Sequence, residues 1–221
     1  MTDNARGFLD DLELDALTEL VNLGVSRAAA SLREMIGGEQ VHLSVPSVSL
    51  VGRSRAIEIL SKSEPGKLVA VHQIFEGPIY GRALLIFPET KSLELVRAVT
   101  SMALSIDDII DLEHEALAET GNVILNSCLA TMANQLRRTL KISLPEIFRG
   151  DGQTLFGAAT APQASDAVVF VYINFTVRRG DIQGYIAMLM DMLSLTALKG
   201  LLDEYIQRTI DGSEPSPDAL A

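Results

Sequence analysis

Apolar residues recur at intervals of three and four from Asp15 to about Ile36: Leu17, Leu20, Val21, Ala28, Leu32 and Met35 share one face. That spacing predicts an amphipathic helix, stopped by Gly37-Gly38. Beyond it the period changes. "VHLSVPSVSLV" (41–51) reads as a strand interrupted at Pro46. "KLVAVHQIF" (67–75) and "GPIYGRALLIF" (77–87) read as the two arms of a β-hairpin. A helix over "KSLELVRAVTSM" (91–102) closes this half.

The same order of elements then returns. A helix is predicted from Asp108 to Leu140, followed by a strand "KISLPEIF" (141–148) with its own Pro145. A polar loop (150–165) leads to a second hairpin, "DAVVFVYINFTV" (166–177) and "IQGYIAMLM" (182–190), turned at "RRGD" (178–181). "LSLTALKGLLDEYI" (193–206) is the last helix. Glu19 and Glu119, Asn22 and Asn122, Pro46 and Pro145, and Gly81 and Gly184 fall at matching places in the two halves. We read a tandem duplication, α+β in class: two pseudo-symmetric helix–strand–hairpin–helix repeats, an antiparallel sheet, and long motif-bearing helices outside it. The expected organisation is an N-terminal extension (1–9), a first repeat (10–103), a second repeat (104–207) and a disordered tail (208–221). The two repeats should form one compact domain, because no Pro/Gly/Ser-rich linker divides them.

Composition narrows the classes of function. The 221 residues carry a net charge of −11, which disfavours binding to nucleic acid. The apolar runs are too short to span a membrane, and the first residues lack a signal-peptide pattern. A single cysteine, Cys128, fits a reducing cytoplasm and reads as a small buried hydrophobe. The three histidines (His42, His72, His114) are scattered, so neither a zinc constellation nor a histidine base stands out. No phosphate-cradling glycine loop is present.

The duplicated helices also repeat a polar pattern. "DALTELVNLG" (15–24) and "EALAETGNVI" (115–124) each set an acidic residue, Glu and Asn three or four residues apart, which is one helix face. Asp15, Glu19 and Asn22 thus form one ridge, and Glu115, Glu119 and Asn122 another. A glutamate offers an anion to grip a lysine, and an asparagine amide can hold a water with its lone pair aimed at an electrophile. Any one such pair is ordinary solvated surface; its recurrence in register argues for more. Gly24 and Gly121, beside the asparagines, suit either the approach of a partner's backbone or close helix packing.

This order of residues resembles the CheC family of chemotaxis phosphatases, which includes CheX and FliY: Asp or Ser, three residues, Glu, two residues, Asn, twenty-two residues, Pro. The first copy is Asp15, Glu19, Asn22 and Pro46, with twenty-three residues before the proline; the second is Glu115, Glu119, Asn122 and Pro145, with Glu in place of Asp or Ser. The likeness covers residues 8–207. It implies hydrolysis of the aspartyl phosphate on a CheY-type response regulator. Glu19 and Glu119 would contact the regulator's lysine, and Asn22 and Asn122 would position water. Asp15, Glu115, Pro46 and Pro145 would line the docking edges. The resemblance implies no cofactor of the chain's own, since Mg²⁺ comes with the regulator. Both sites are expected to be competent, the first being slightly the better match. The rival reading is a non-catalytic adaptor for the phosphorylated regulator, for a CheD-type receptor deamidase, or for both.

Overall fold

Helix α1 (Asp11–Met35) begins four residues before the apolar periodicity predicts, because Asp10 and Glu13 cap it reciprocally. The Glu13 amide donates to Asp10 Oδ1 at 2.9 Å, and the Asp10 amide donates to Glu13 Oε2 at 2.7 Å. Two of the helix's otherwise orphaned N–H groups are satisfied in this way. The structure, a computed structural model, describes residues 7–35, 41–92, 94, 106–158, 167–177 and 180–212. The elements that follow α1 are β1 (Val41–Gly52), α2 (Arg53–Ser63), β2 (Leu68–Glu76), β3 (Gly81–Pro88) and α3 (Ile106–Gln135). Then come β4 (Lys141–Ile142), β5 (Glu146–Gly150), α4 (Gly152–Ala158), β6 (Ala167–Val177), β7 (Gly180–Met190) and α5 (Met192–Ile210).

Two short helices depart from the sequence reading. α2 follows β1 directly, with Ala56 and Leu60 buried on an otherwise polar turn pattern. α4 lies where a polar loop was expected; Leu155 and Phe156 are its buried residues, and they pack with α2 against the sheet. The helix expected over residues 91–102, the turn residues 178–179 and the tail beyond residue 212 lie wholly or largely outside the described residues. Within that limit, residues 89–92 are helical.

The seven strands among the described residues form one antiparallel sheet in the order β1-β6-β7-β3-β2-β4, with β5 also on β2. β4 and β5 are the two pieces of the strand predicted over 141–148, parted at Ser143–Pro145. β1 stays continuous, although its register with β6 shifts between Ser44 and Ser47. The registers repeat between the halves. Ala70 lies between Phe148 and Ile86, as Phe170 lies between Ser49 and Ala187. Phe75 lies between Ile142 and Gly81, as Phe175 lies between Leu43 and Ile182. The duplicated order is therefore present in the ladders. They also correct one pairing, since the counterpart of Gly81 is Ile182 and not Gly184. β3 and β7 join the halves, running from Gly81 opposite Met190 to Ile86 opposite Tyr185.

Each face of the sheet buries its own core. On one side α1, α3 and α5 cover Val69, Val71, Leu85, Val171 and Ile186; on the other, α2 and α4 cover Ala70, Ile86, Val168 and Ala187. On the first side α1 packs along α3. A β-carbon on Gly24 would stand 2.8 Å from Cys128 Cα, so the two helix backbones approach more closely than any side chain allows. Helix packing, not a partner's approach, accounts for Gly24. The Cys128 thiol at this crossing is buried, and that burial pushes its pKa up to about 12.

Among the described residues three buried side chains carry unsatisfied polar atoms: His72, Gln73 at Oε1 and Asn174 at Oδ1. His72 is 4% exposed, its ring meets Phe148 edge-on at 5.4 Å, and neither ring nitrogen has a hydrogen-bond partner among the described residues. Glu146 stands 3.8 Å from Nδ1, beyond hydrogen-bond reach, and is itself largely exposed. Burial, followed by the positive field of Arg82, outweighs that carboxylate and holds the imidazole pKa below 6.5.

Two outcomes follow from this packing. Gly24→Ala should destabilise the fold by about 1–3 kcal/mol in urea melts, although alanine favours helices, because the crossing is overpacked. Unchanged stability would mean that α1 and α3 sit further apart than described. For His72 the unfolded chain takes up a proton near pH 6.5 and the folded chain only at lower pH. Stability is then complete above that value and falls as pH drops below it. His72→Phe should flatten this decline between pH 7.5 and 5; parallel curves for the two proteins would refute the assignment.

Candidate functional site

The first ridge is built by the amphipathic face of α1. Leu17, Leu20 and Val21 are buried at 0%, 0% and 3%, which turns Asp15 and Glu19 fully outward and leaves Asn22 half-buried. α3 repeats the arrangement: Leu117, Ile124 and Leu125 face the core, Glu115 and Glu119 are exposed, and Asn122 is half-buried. Neither Glu19 nor Glu119 makes a hydrogen bond or ion pair among the described residues. Both carboxylates are therefore available to a cation from outside.

A second acidic position, missed in the sequence, fixes how each helix faces. Glu13, two residues before Asp15, is 2% exposed and points inward; Lys199 Nζ of α5 donates to its Oε1. This contact raises the Lys199 pKa, while burial and the same glutamate raise that of Asp203. Its counterpart Glu113 accepts from Ser92 Oγ at 2.6 Å and from Arg149 Nη2 at 2.9 Å. Two residues along a helix rotate the side chain to the opposite side. An inward Glu13 or Glu113 therefore implies an outward Asp15 or Glu115.

The two asparagines differ in their surroundings. A β-carbon on Gly121 would stand 2.5 Å from the Val71 side chain, so only glycine lets α3 settle on β2 at this point. That approach brings Asn122 to Gln73, the next inward residue of β2 and 0% exposed. Gln73 Nε2 donates to Asn122 Oδ1 at 3.1 Å and to the Ser143 carbonyl at 2.9 Å, with Asn126 Oδ1 at 3.4 Å. Asn126 Nδ2 donates to Asn122 Oδ1 at 2.8 Å. Ser143 is itself tied to β2: its amide donates to the Ile74 carbonyl at 2.9 Å, and its Oγ accepts from the Ile74 amide at 2.9 Å. Among the described residues Asn22 has no comparable partner.

The prolines stand apart from the ridges in character. Pro145 is half-buried in the break between β4 and β5, next to Leu144, which is 86% exposed. Pro46 lies in β1 where the register shifts, and its side chain is outside the described residues. Among the described residues no group of three or more His, Cys, Asp or Glu is placed to hold a metal ion. No helix among them is long and apolar enough to cross a membrane. Of the site's polar residues, Gln73, Asn126 and Ser143 were missed. The available signals were a glutamine at an inward position of an apolar strand and a second asparagine one helical turn after Asn122.

Comparison with known proteins gives a consistent picture. No family model matches the chain. CheC1 of Halobacterium salinarum is 23% identical over 167 residues, which is 73% of this chain and 82% of that protein. The CheY-P phosphatase CheC of Bacillus subtilis is 23% identical over 141 residues, 61% of this chain and 65% of that one. In fold, the chain is similar to Thermotoga maritima FliY, with a TM-score of 0.67 and 19% identity over 91% of this chain and 98% of that one. FliM of H. pylori, solved in a complex with SpeE, gives a TM-score of 0.61 and 11% identity over 90% of this chain and 98% of that one.

Proposed function

We propose that this chain, which resembles the CheC family in sequence and FliY in fold, hydrolyses the aspartyl phosphate of a CheY-type receiver protein. The single observation that carries the reading is the placement of the two motif copies. Glu19 and Glu119 are exposed on equivalent helix faces and unpaired among the described residues, each with a half-buried asparagine one turn on. A relative 23% identical to this chain bears the name of a CheY-P phosphatase, which supports the reading.

The chemistry asks little of the chain itself. An acyl phosphate is already activated, and the receiver's own Mg²⁺ neutralises charge on the phosphoryl oxygens. Glu19 or Glu119 pairs with the receiver's lysine and sets the docked orientation. Asn22 or Asn122 then holds a water in line with the bond to be broken. The water oxygen bonds to phosphorus as the bond from phosphorus to the aspartyl oxygen breaks. The receiver's aspartate leaves as a carboxylate, and the water's proton goes to the released inorganic phosphate. Half-burial suits the asparagine, because a side chain already restrained loses less freedom on docking.

The test is loss of phosphate from a phosphorylated receiver with and without this protein. Asn22→Ala combined with Asn122→Ala should lower turnover by about a hundredfold or more. The fold should stay intact and affinity should fall much less. Each single variant should retain part of the activity, while Glu119→Lys should weaken docking at the second site. Full turnover in the double variant would defeat the reading. Binding of the phosphorylated receiver, or of a CheD-type deamidase, without any turnover would favour an adaptor instead.

A further inference from the structure

Gln73 is a polar side chain sealed inside β2, and its hydrogen bonds have a fixed direction. The Ser143 carbonyl can only accept, so Gln73 must turn its amide nitrogen toward it. The same nitrogen then faces Asn122, which must answer with Oδ1. Asn126 Nδ2 donates to that oxygen too, so both of its lone pairs are used. Turning the Asn122 amide over would set N–H against N–H. Asn122 Nδ2 is therefore the end left for a ligand, and the Ser143 backbone carbonyl, in the break between β4 and β5, determines this through Gln73.

The first copy keeps its asparagine, Asn22, but lacks both side chains that hold Asn122. By the repeated registers, the counterpart of Gln73 is Ile173, 0% exposed, and those of Asn126 and Gly121 are Ser26 and the buried Val21. We propose that Gln73 is a positioning residue that locks Asn122 with its amide nitrogen toward the docked phosphoryl group, so that the second site is organised before docking and the first only on docking. This rests on the phosphatase reading for its role, though not for its geometry. With Nδ2 donating to the water oxygen, one of the water's two lone pairs remains free to face phosphorus. An ordered donor reduces the freedom lost at each turnover, which acts on kcat more than on KM.

The test uses the full chain and the variant Gln73→Ile, which installs the residue found in the other copy. In ¹⁵N-labelled protein the Asn122 side-chain amide should be more ordered than that of Asn22, and Gln73→Ile should reduce it to the Asn22 level. In an Asn22→Ala background, Gln73→Ile should lower kcat about tenfold with KM nearly unchanged. Gln73→Glu, which accepts where Gln73 donates, should lose as much despite its similar size. If Gln73→Ile does not fold, Asn126→Ala removes the other donor to Asn122 and should lower the same two readouts. Equal mobility of Asn22 and Asn122 in the unaltered protein, or undiminished kcat in the variants, overturns the proposal. If the unaltered protein fails to release phosphate, the phosphatase reading is what fails, and the amide measurement still decides whether Gln73 locks Asn122.

Discussion

The candidate second site depends on the space that a missing β-carbon leaves between α3 and β2. Helices ordinarily stand off a sheet by the depth of their side chains, and polar groups on the two then do not meet. At Gly121 that depth is absent, so the α3 backbone rests on Val71 and an asparagine reaches a strand residue directly. α1 uses its own glycine differently, against Cys128 on α3 rather than against a strand. The two motif helices are thus equivalent in sequence pattern and unequal in what each is pressed against. The order of the elements and the registers are common to both halves, whereas the neighbours that decide how stiffly an asparagine is held are not.

Much of the architecture could be read from the chain. Alternation and three–four periodicity mark the strands and the long helices because each has one buried face, and the ladders repeat as the duplicated order requires. The motif face was also legible, since the apolar residues that turn Glu19 and Glu119 outward are those that define the helices. The misses have physical causes. α2 and α4 bury only two or three apolar residues each, too few to establish a period. Asp10 and Glu13 look like surface acids until the cap and Lys199 are seen to engage them. Gly81 and Gly184 resemble counterparts in a linear reading, yet hydrogen-bond registers, invisible there, set them two residues apart along their strands.

The Gln73 relay shows why a motif of three residue types understates a site. Asp15, Glu19 and Asn22, like Glu115, Glu119 and Asn122, are surface side chains whose chemistry is evident from their types. What prepares one of them sits below, in a strand contributed by the other half of the chain: Gln73 precedes α3, while Ser143 follows it. The proposed site around Asn122 therefore draws on residues from both halves of the chain. Duplication supplied two copies of the motif, and sharing a sheet allowed one copy to borrow a partner.

Cys128 gives the crossing of the two helices a chemical property of its own. Burial pushes its pKa up to about 12, so at neutral pH the thiol is protonated and weakly nucleophilic. The side chain belongs to the core that α1, α3 and α5 share, and its backbone lies against Gly24. A sulfur-seeking reagent should therefore react when this packed layer opens. The rate of that labelling is thus an internal clock for the opening of the packed layer, carried by an atom already in the chain.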